Sequence, residues 1–185
     1  MSRKFVLVAA LLASPAFAEG EPDGPGPNLV IEVSGQANGT IVIDMLPDHA
    51  PKHVAQMTAL AAAGAYDGVV FHRVIDGFMA QTGDVQFGKS GGDLSMAGAG
   101  GSEMPDLPAE FSDISFQRGI VGMARSQDPN SGNSQFFIMF APGEFLDGQY
   151  TVVGHVVEGM DVVDQIAMGE PPTTPDVMTR VSVQP

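Results

Sequence analysis

The strongest constraint on this chain is its punctuation: short runs rich in Val, Ile and Phe are cut off every few residues by glycine or a turn pair, with 23 glycines and 14 prolines in 185 residues. Such runs read as β-strands. They fall at Leu29 to Val33, Thr40 to Met45, Val69 to Ile75, Phe78 to Gly83, Gly119 to Ala124, Gln135 to Phe140, Tyr150 to Val157 and Val177 to Val183. Only two stretches carry helical spacing. In the first, Val54, Met57, Leu60 and Ala61 recur on one face, with Asp48 as the expected cap, Pro51 in the first turn and Gly64 as the stop. The second is Gly159 to Ala167. Strands and helices do not alternate, so the pattern predicts a mainly β fold built on antiparallel pairing, a sandwich or barrel, and excludes a doubly wound sheet.

Charge and composition narrow the function. Eight Lys and Arg against 22 Asp and Glu leave a formal charge of −14. That surface repels phosphate backbones and anionic headgroups, which argues against nucleic acid as a partner. The absence of cysteine removes thiolate nucleophiles, disulfides and zinc-cysteine clusters. At the front, Arg3 and Lys4, an apolar run from Phe5 to Ala13 and Ala16-Phe17-Ala18 read as a cleavable signal peptide over residues 1–18. The apolar run is far shorter than the roughly 20 residues needed to span a bilayer, so no membrane insertion is expected after cleavage. Residues 19–28, rich in proline and glycine, read as a flexible leader to a single domain over 29–185.

Several kinds of chemistry lack support. His49 and His53 stand at helical spacing, but no third ligand is signalled, and solvent-exposed histidines are the expectation. Gly98-Ala99-Gly100-Gly101 follows no clear strand and has no lysine, so it is not a phosphate loop. Asp84 and Asp93 form no EF-hand pattern, and no G-x-S-x-G elbow occurs. The glycine-rich stretch between Gly83 and Glu110 reads as a long irregular loop, functional or mobile.

The run Phe71-His72-Arg73-Val74-Ile75-Asp76-Gly77-Phe78-Met79-Ala80-Gln81-Thr82-Gly83-Asp84 resembles the signature of the cyclophilin family of peptidyl-prolyl cis-trans isomerases. Gly122-Met123-Ala124-Arg125, Asn133-Ser134-Gln135-Phe136-Phe137-Ile138, Phe145-Leu146-Asp147-Gly148 and Glu158-Gly159-Met160 continue the likeness in order. The resemblance implies a closed eight-stranded antiparallel barrel capped by two helices. It also implies a shallow groove for proline-containing peptides that works without metal or cofactor. Arg73 would act on the twisting amide and Gln81 would orient it. Phe78, Met79, Phe137 and Leu146 would hold the proline ring, and Gln135 with the backbone near Ala124 would fix the peptide.

Strand geometry bears on these residues directly. In Gln135 to Phe140, Gln135, Phe137 and Met139 share one face while Phe136, Ile138 and Phe140 share the other, so one face serves a site and the other a core. A two-residue turn at Asp76-Gly77 would set Arg73 opposite Ala80. A three-residue turn through Phe78 sets it opposite Gln81 and gathers Arg73, Met79 and Gln81 on one surface; this is the register expected here. Taken singly, a strand arginine is usually a solvated charge and a Phe or Met usually core. Their joint match to the family's groove favours a site.

Three departures matter. Phe145 stands where many eukaryotic members have tryptophan, Tyr150 where they have a groove histidine, and Arg125 where asparagine is common. These departures imply weak cyclosporin binding, and Met123-Ala124-Arg125 resembles the bacterial branch; with the signal peptide this points to a bacterial periplasmic enzyme acting on unfolded exported proteins, and nothing in the sequence requires a dimer, so a monomer is expected. The competing expectation is a chaperone module that binds proline-bearing segments with little dependence on turnover.

Overall fold

The structure is a computed structural model that describes residues 23–185, so the signal peptide read over 1–18 and the first part of the leader lie outside the described residues. Alternation shapes the first hairpin. β1 (Asn28–Ser34) pairs antiparallel with β2 (Gly39–Met45), bringing Leu29 opposite Ile43 and Ile31 opposite Ile41. All four are fully buried, each contributing roughly 1.5–3 kcal/mol of apolar burial. Residues 23–28 of the expected leader lie against β2: Gly24 N–H donates to Asp44 Oδ2 at 3.0 Å, and Met45 N–H donates to Pro27 O at 3.0 Å.

The remaining strands are β3 (Val69–Val70), β4 (Arg73–Ile75), β5 (Met79–Thr82), β6 (Ile120–Met123), β7 (Phe136–Met139), β8 (Val152–Glu158) and β9 (Val177–Gln184). They form one sheet in the order β3-β9-β1-β2-β8-β6-β7-β5-β4. Every pairing is antiparallel, and register shifts at Glu32/Val33, Val42/Ile43 and Val121/Gly122 mark irregularities of the kind that bend and twist a sheet.

The expected closed barrel of eight strands is therefore corrected to an open, strongly curled sheet of nine. The reason lies in Val69 to Ile75, which reads as one strand. Val69 and Val70 pair with β9, whereas Arg73 to Ile75 pair with β5. At the break, Phe71 N–H donates to Asp176 O and His72 N–H to Gln81 O, so the chain changes partners and becomes both ends of the ladder.

α1 (Pro51–Ala62) buries Val54, Met57, Leu60 and Ala61, as its spacing predicts. Its cap differs from expectation. Ala50, not Asp48, occupies the N-cap and offers no side-chain bond. Instead the distant Glu110 carboxylate accepts from Lys52 N–H at 3.1 Å and His53 N–H at 3.1 Å. His53 is correspondingly buried rather than solvent-exposed, with Nδ1 2.7 Å from Glu110 Oε2, while His49 is exposed. The second helix, α2 (Met160–Val163), is shorter than its predicted span.

Apolar side chains form two clusters on opposite faces of β7. Phe136, Ile138 and Phe140 join the main core with α1, β1 and β2. Phe137 and Met139 join Met79, Ile114, Phe116, Ile120, Leu146 and Val152 in a second cluster. Among the described residues, no helix is long and apolar enough to cross a membrane.

Candidate active site

The second cluster is the floor of a groove. Above it, β4 and β5 are joined through Asp76-Gly77-Phe78, with Phe78 N–H donating to Ile75 O at 3.0 Å. The turn sets Arg73 opposite Gln81 and Ile75 opposite Met79, the register expected of a three-residue connection. Gln81 in turn faces Phe137 on β7. Phe137 stacks on Phe116 with centroids 5.8 Å apart. Gly122 permits this approach, because an added Cβ would collide with both rings.

Arg73, Phe78, Met79, Gln81, Ala124, Arg125, Phe137, Phe145, Leu146 and Tyr150 line one cavity of about 290 Å³. Met79, Phe137 and Leu146 form its buried base, whereas Phe145 is 64% exposed and leans on Phe78 with centroids 5.6 Å apart. At the opposite rim the Arg125 guanidinium lies 4.3 Å over the Tyr150 ring, and its Nη2 donates to Gln149 O at 3.0 Å. The remaining predicted residue, Gln135, lines a neighbouring cavity of about 470 Å³ with the glycine loop. It is one hydrogen bond away: Gln81 Nε2 donates to Gln135 Oε1 at 2.9 Å.

Two guanidinium groups line the groove, Arg125 at the Tyr150 rim and Arg73 beside Gln81. Arg73 Nη1 donates weakly to Gln81 Oε1 at 3.4 Å, and its Nε donates to Glu170 Oε2 at 2.7 Å. The glycine loop is also held. Buried Asp84 accepts Gly98 N–H at 2.7 Å and Gly100 N–H at 3.0 Å on one oxygen, and Gln86 and Phe87 N–H on the other. Asn133 binds Ser102 and, through Nδ2, Met104 O and Asp106. Under the loop, burial pulls the His72 imidazole below its ordinary pKa, against the opposing pull of Asp84 and Gln135. Such an environment favours a neutral ring.

Sequence reasoning missed Glu170, Asp84 and Asn133. Asp84 and Asn133 both stand inside the motif blocks, so their position was a usable signal. Glu170 lies 97 residues from Arg73 and has none.

The sequence model described as cyclophilin type peptidyl-prolyl cis-trans isomerase/CLD matches residues 29–183, nearly all of the described chain. The chain belongs to this family. As a cyclophilin it is a peptidyl-prolyl cis-trans isomerase, and its curated relatives carry that activity in their names. A Brucella suis protein described as a probable peptidyl-prolyl cis-trans isomerase is 64% identical over 134 residues, covering 71% of this chain and 68% of that protein. The peptidyl-prolyl cis-trans isomerase-like 1 of Mus musculus is 36% identical, over 78% of this chain and 81% of its own. Among solved structures, a cyclophilin from Hirschia baltica aligns with a TM-score of 0.71 and 28% identity, covering 83% of this chain and 72% of that one. A Cryptosporidium parvum cyclophilin type isomerase crystallised in the presence of the dipeptide Ala-Pro shares the fold. Its TM-score is 0.73 at 24% identity, over 85% of this chain and 99% of its own.

Proposed function

We propose that this cyclophilin, exported by cleavage after Ala18 and working as a monomer in the bacterial periplasm, isomerises X-Pro bonds in unfolded exported proteins. The catalytic step is proposed to run in the Arg73 groove. The observation that carries this reading is Arg73 itself: Nε and Nη1 are engaged by Glu170 and Gln81, Nη2 makes no hydrogen bond among the described residues, and the side chain lines the same cavity as Met79, Phe137 and Leu146.

Amide resonance imposes a rotation barrier of about 18–20 kcal/mol on the peptide bond. Both planar isomers lie close in energy, so acceleration requires only tighter binding of the twisted amide. As the amide twists, its lone pair localises on the prolyl nitrogen. A guanidinium N–H aimed at that nitrogen or at the neighbouring carbonyl oxygen binds the twisted state better than either ground state. Met79, Phe137 and Leu146 would bury the proline ring, and Phe78 and Phe145 would wall it. Gln135 and the Ala124 backbone would hold the flanking peptide. A ~10⁵-fold acceleration needs about 7 kcal/mol of differential binding, within reach of a few charge-assisted bonds in a partly dry groove.

Titrating an isotope-labelled chain with Ala-Pro peptides tests this. Shifts should centre on Met79, Phe137 and Tyr150, with exchange between cis and trans peptide signals accelerated. Shifts centred elsewhere, or unaccelerated exchange, would overturn it. Mass measurement on native protein should place the N-terminus at Glu19; a retained Met1 would overturn the export proposal.

A further inference from the structure

We propose that Glu170 is a positioning residue of this groove, holding the Arg73 guanidinium by its Nε edge so that the Nη2 hydrogens stay available to the substrate; the proposal rests on the reading of Arg73 as the catalytic cation. Glu170 Oε2 accepts from Arg73 Nε at 2.7 Å, far shorter than the 3.4 Å bond from Nη1 to Gln81. Gln81 alone is a weak anchor. Two attachments on different nitrogens fix the plane of a guanidinium, whereas one leaves it free to swing about that contact.

Glu170 reaches this place by backbone pairing rather than by a wandering side chain. Gly169 and Val74 exchange hydrogen bonds in both directions, Val74 N–H to Gly169 O at 2.8 Å and Gly169 N–H to Val74 O at 3.0 Å. The stitch covers the edge of β4 one residue from Arg73 and sets Glu170 beside the guanidinium. Only glycine suits position 169, where φ is +144° and an added Cβ would lie 2.6 Å from Pro172 Cα.

Stability does not account for the pair. Arg73 and Glu170 side chains are 41% and 55% exposed, and half-exposed ion pairs contribute little to folding. What the carboxylate supplies is order: an arginine on a solvent-facing strand samples many rotamers, and the Glu170 contact selects one before the substrate arrives. Glu170 needs no contact with the substrate to do this.

Glu170→Gln in the full chain tests the proposal, since it keeps the shape and removes the charge. The expected result is a fall in kcat of about fivefold or more with KM changed by less than about twofold. The Arg73 Nε–H resonance, protected in the wild type, should broaden and exchange faster. Glu170→Asp should restore part of both, and the thermal midpoint should be unchanged. Wild-type kcat and an unaltered Arg73 Nε–H signal in Glu170→Gln would overturn the positioning role while Arg73→Ala remains impaired. If Arg73→Ala itself turned over normally, the reading of Arg73 would fall, and this proposal with it.

Discussion

The Gln81 and Gln135 side chains are joined end to end, Gln81 Nε2 donating to Gln135 Oε1 at 2.9 Å, and Gln135 Nε2 then donates to Gly98 O at 3.0 Å and Gly100 O at 2.7 Å. The amides of those same glycines donate to buried Asp84. A continuous set of hydrogen bonds thus runs from the cation at Arg73 to a loop with almost no side chains of its own. Glycine-rich backbone has the most conformational freedom to lose on ordering, so a loop of this composition keeps one shape only if its carbonyls and amides are held from outside.

Gln135→Leu should cut that path while keeping a similar volume at a position only 9% exposed. It leaves the Gly98 and Gly100 carbonyls without this donor and Gln81 without its acceptor. Amide exchange at Gly98 to Gly101 should quicken, and kcat/KM should fall by about tenfold, equivalent to about 1.4 kcal/mol. Hydrogen exchange read by NMR alongside an isomerisation assay checks both. Unchanged protection at Gly98 and Gly100 would show that Asp84 alone holds the loop.

For Arg73→Ala, kcat/KM should fall by at least ~10²-fold, about 2.7 kcal/mol, with a much smaller loss of peptide affinity. A protease-free assay on an Ala-Pro peptide measures the first and calorimetry the second. Equal losses in both would favour a passive binding module. Arg73→Lys should also be impaired, because an ammonium cannot serve Glu170, Gln81 and the substrate in one plane.

Short-range signals made most of the groove legible. The Asp76-Gly77-Phe78 connection set the register of Arg73 against Gln81, and strict alternation in Gln135 to Phe140 separated Phe137 and Met139 from Phe136 and Ile138. Long-range partners were invisible for the complementary reason: they obey no spacing rule. Glu110 caps α1 from 58 residues beyond Lys52, whereas helix-start spacing points only to the local Asp48. The same limit hid the break at Phe71-His72. A run of apolar residues announces a strand but not which neighbour each half will pair with, and that choice is what leaves the sheet open.

Glu110 also makes stability depend on pH. Burial alone would raise its pKa, but the hydrogen bonds from the His53 ring and from the His53 and Lys52 amides outweigh it and hold the carboxyl below its ordinary 4.5. A carboxyl depressed in the folded state contributes stability that is complete above its unfolded pKa and is lost as pH falls through the folded one. Urea denaturation of wild type and Glu110→Gln should therefore differ by about 1–2 kcal/mol at neutral pH. That difference should shrink as pH drops below about 4.5. A difference that stays constant down to the lowest pH would mean that the charge on Glu110 does not hold the helix.

Phe145 decides the last prediction, which concerns cyclosporin. The residue is 64% exposed and its ring leans on that of Phe78, so position 145 forms an outer wall of the cavity while Leu146 beside it is buried. Phenylalanine offers an apolar surface there but no N–H donor, which the indole of tryptophan would add. A proline ring needs only the wall; an inhibitor with carbonyls at the rim gains from the donor. An exposed site has room for the larger ring, so Phe145→Trp should fold normally and tighten cyclosporin at least tenfold, about 1.4 kcal/mol, while changing isomerisation by less than that factor. Titration calorimetry on both proteins measures it. Unchanged affinity in the folded variant would show that position 145 does not limit cyclosporin binding and would direct the test to the opposite rim, where Arg125 lies over Tyr150. Arg125→Asn, which removes that cover, would then be the substitution that admits the drug.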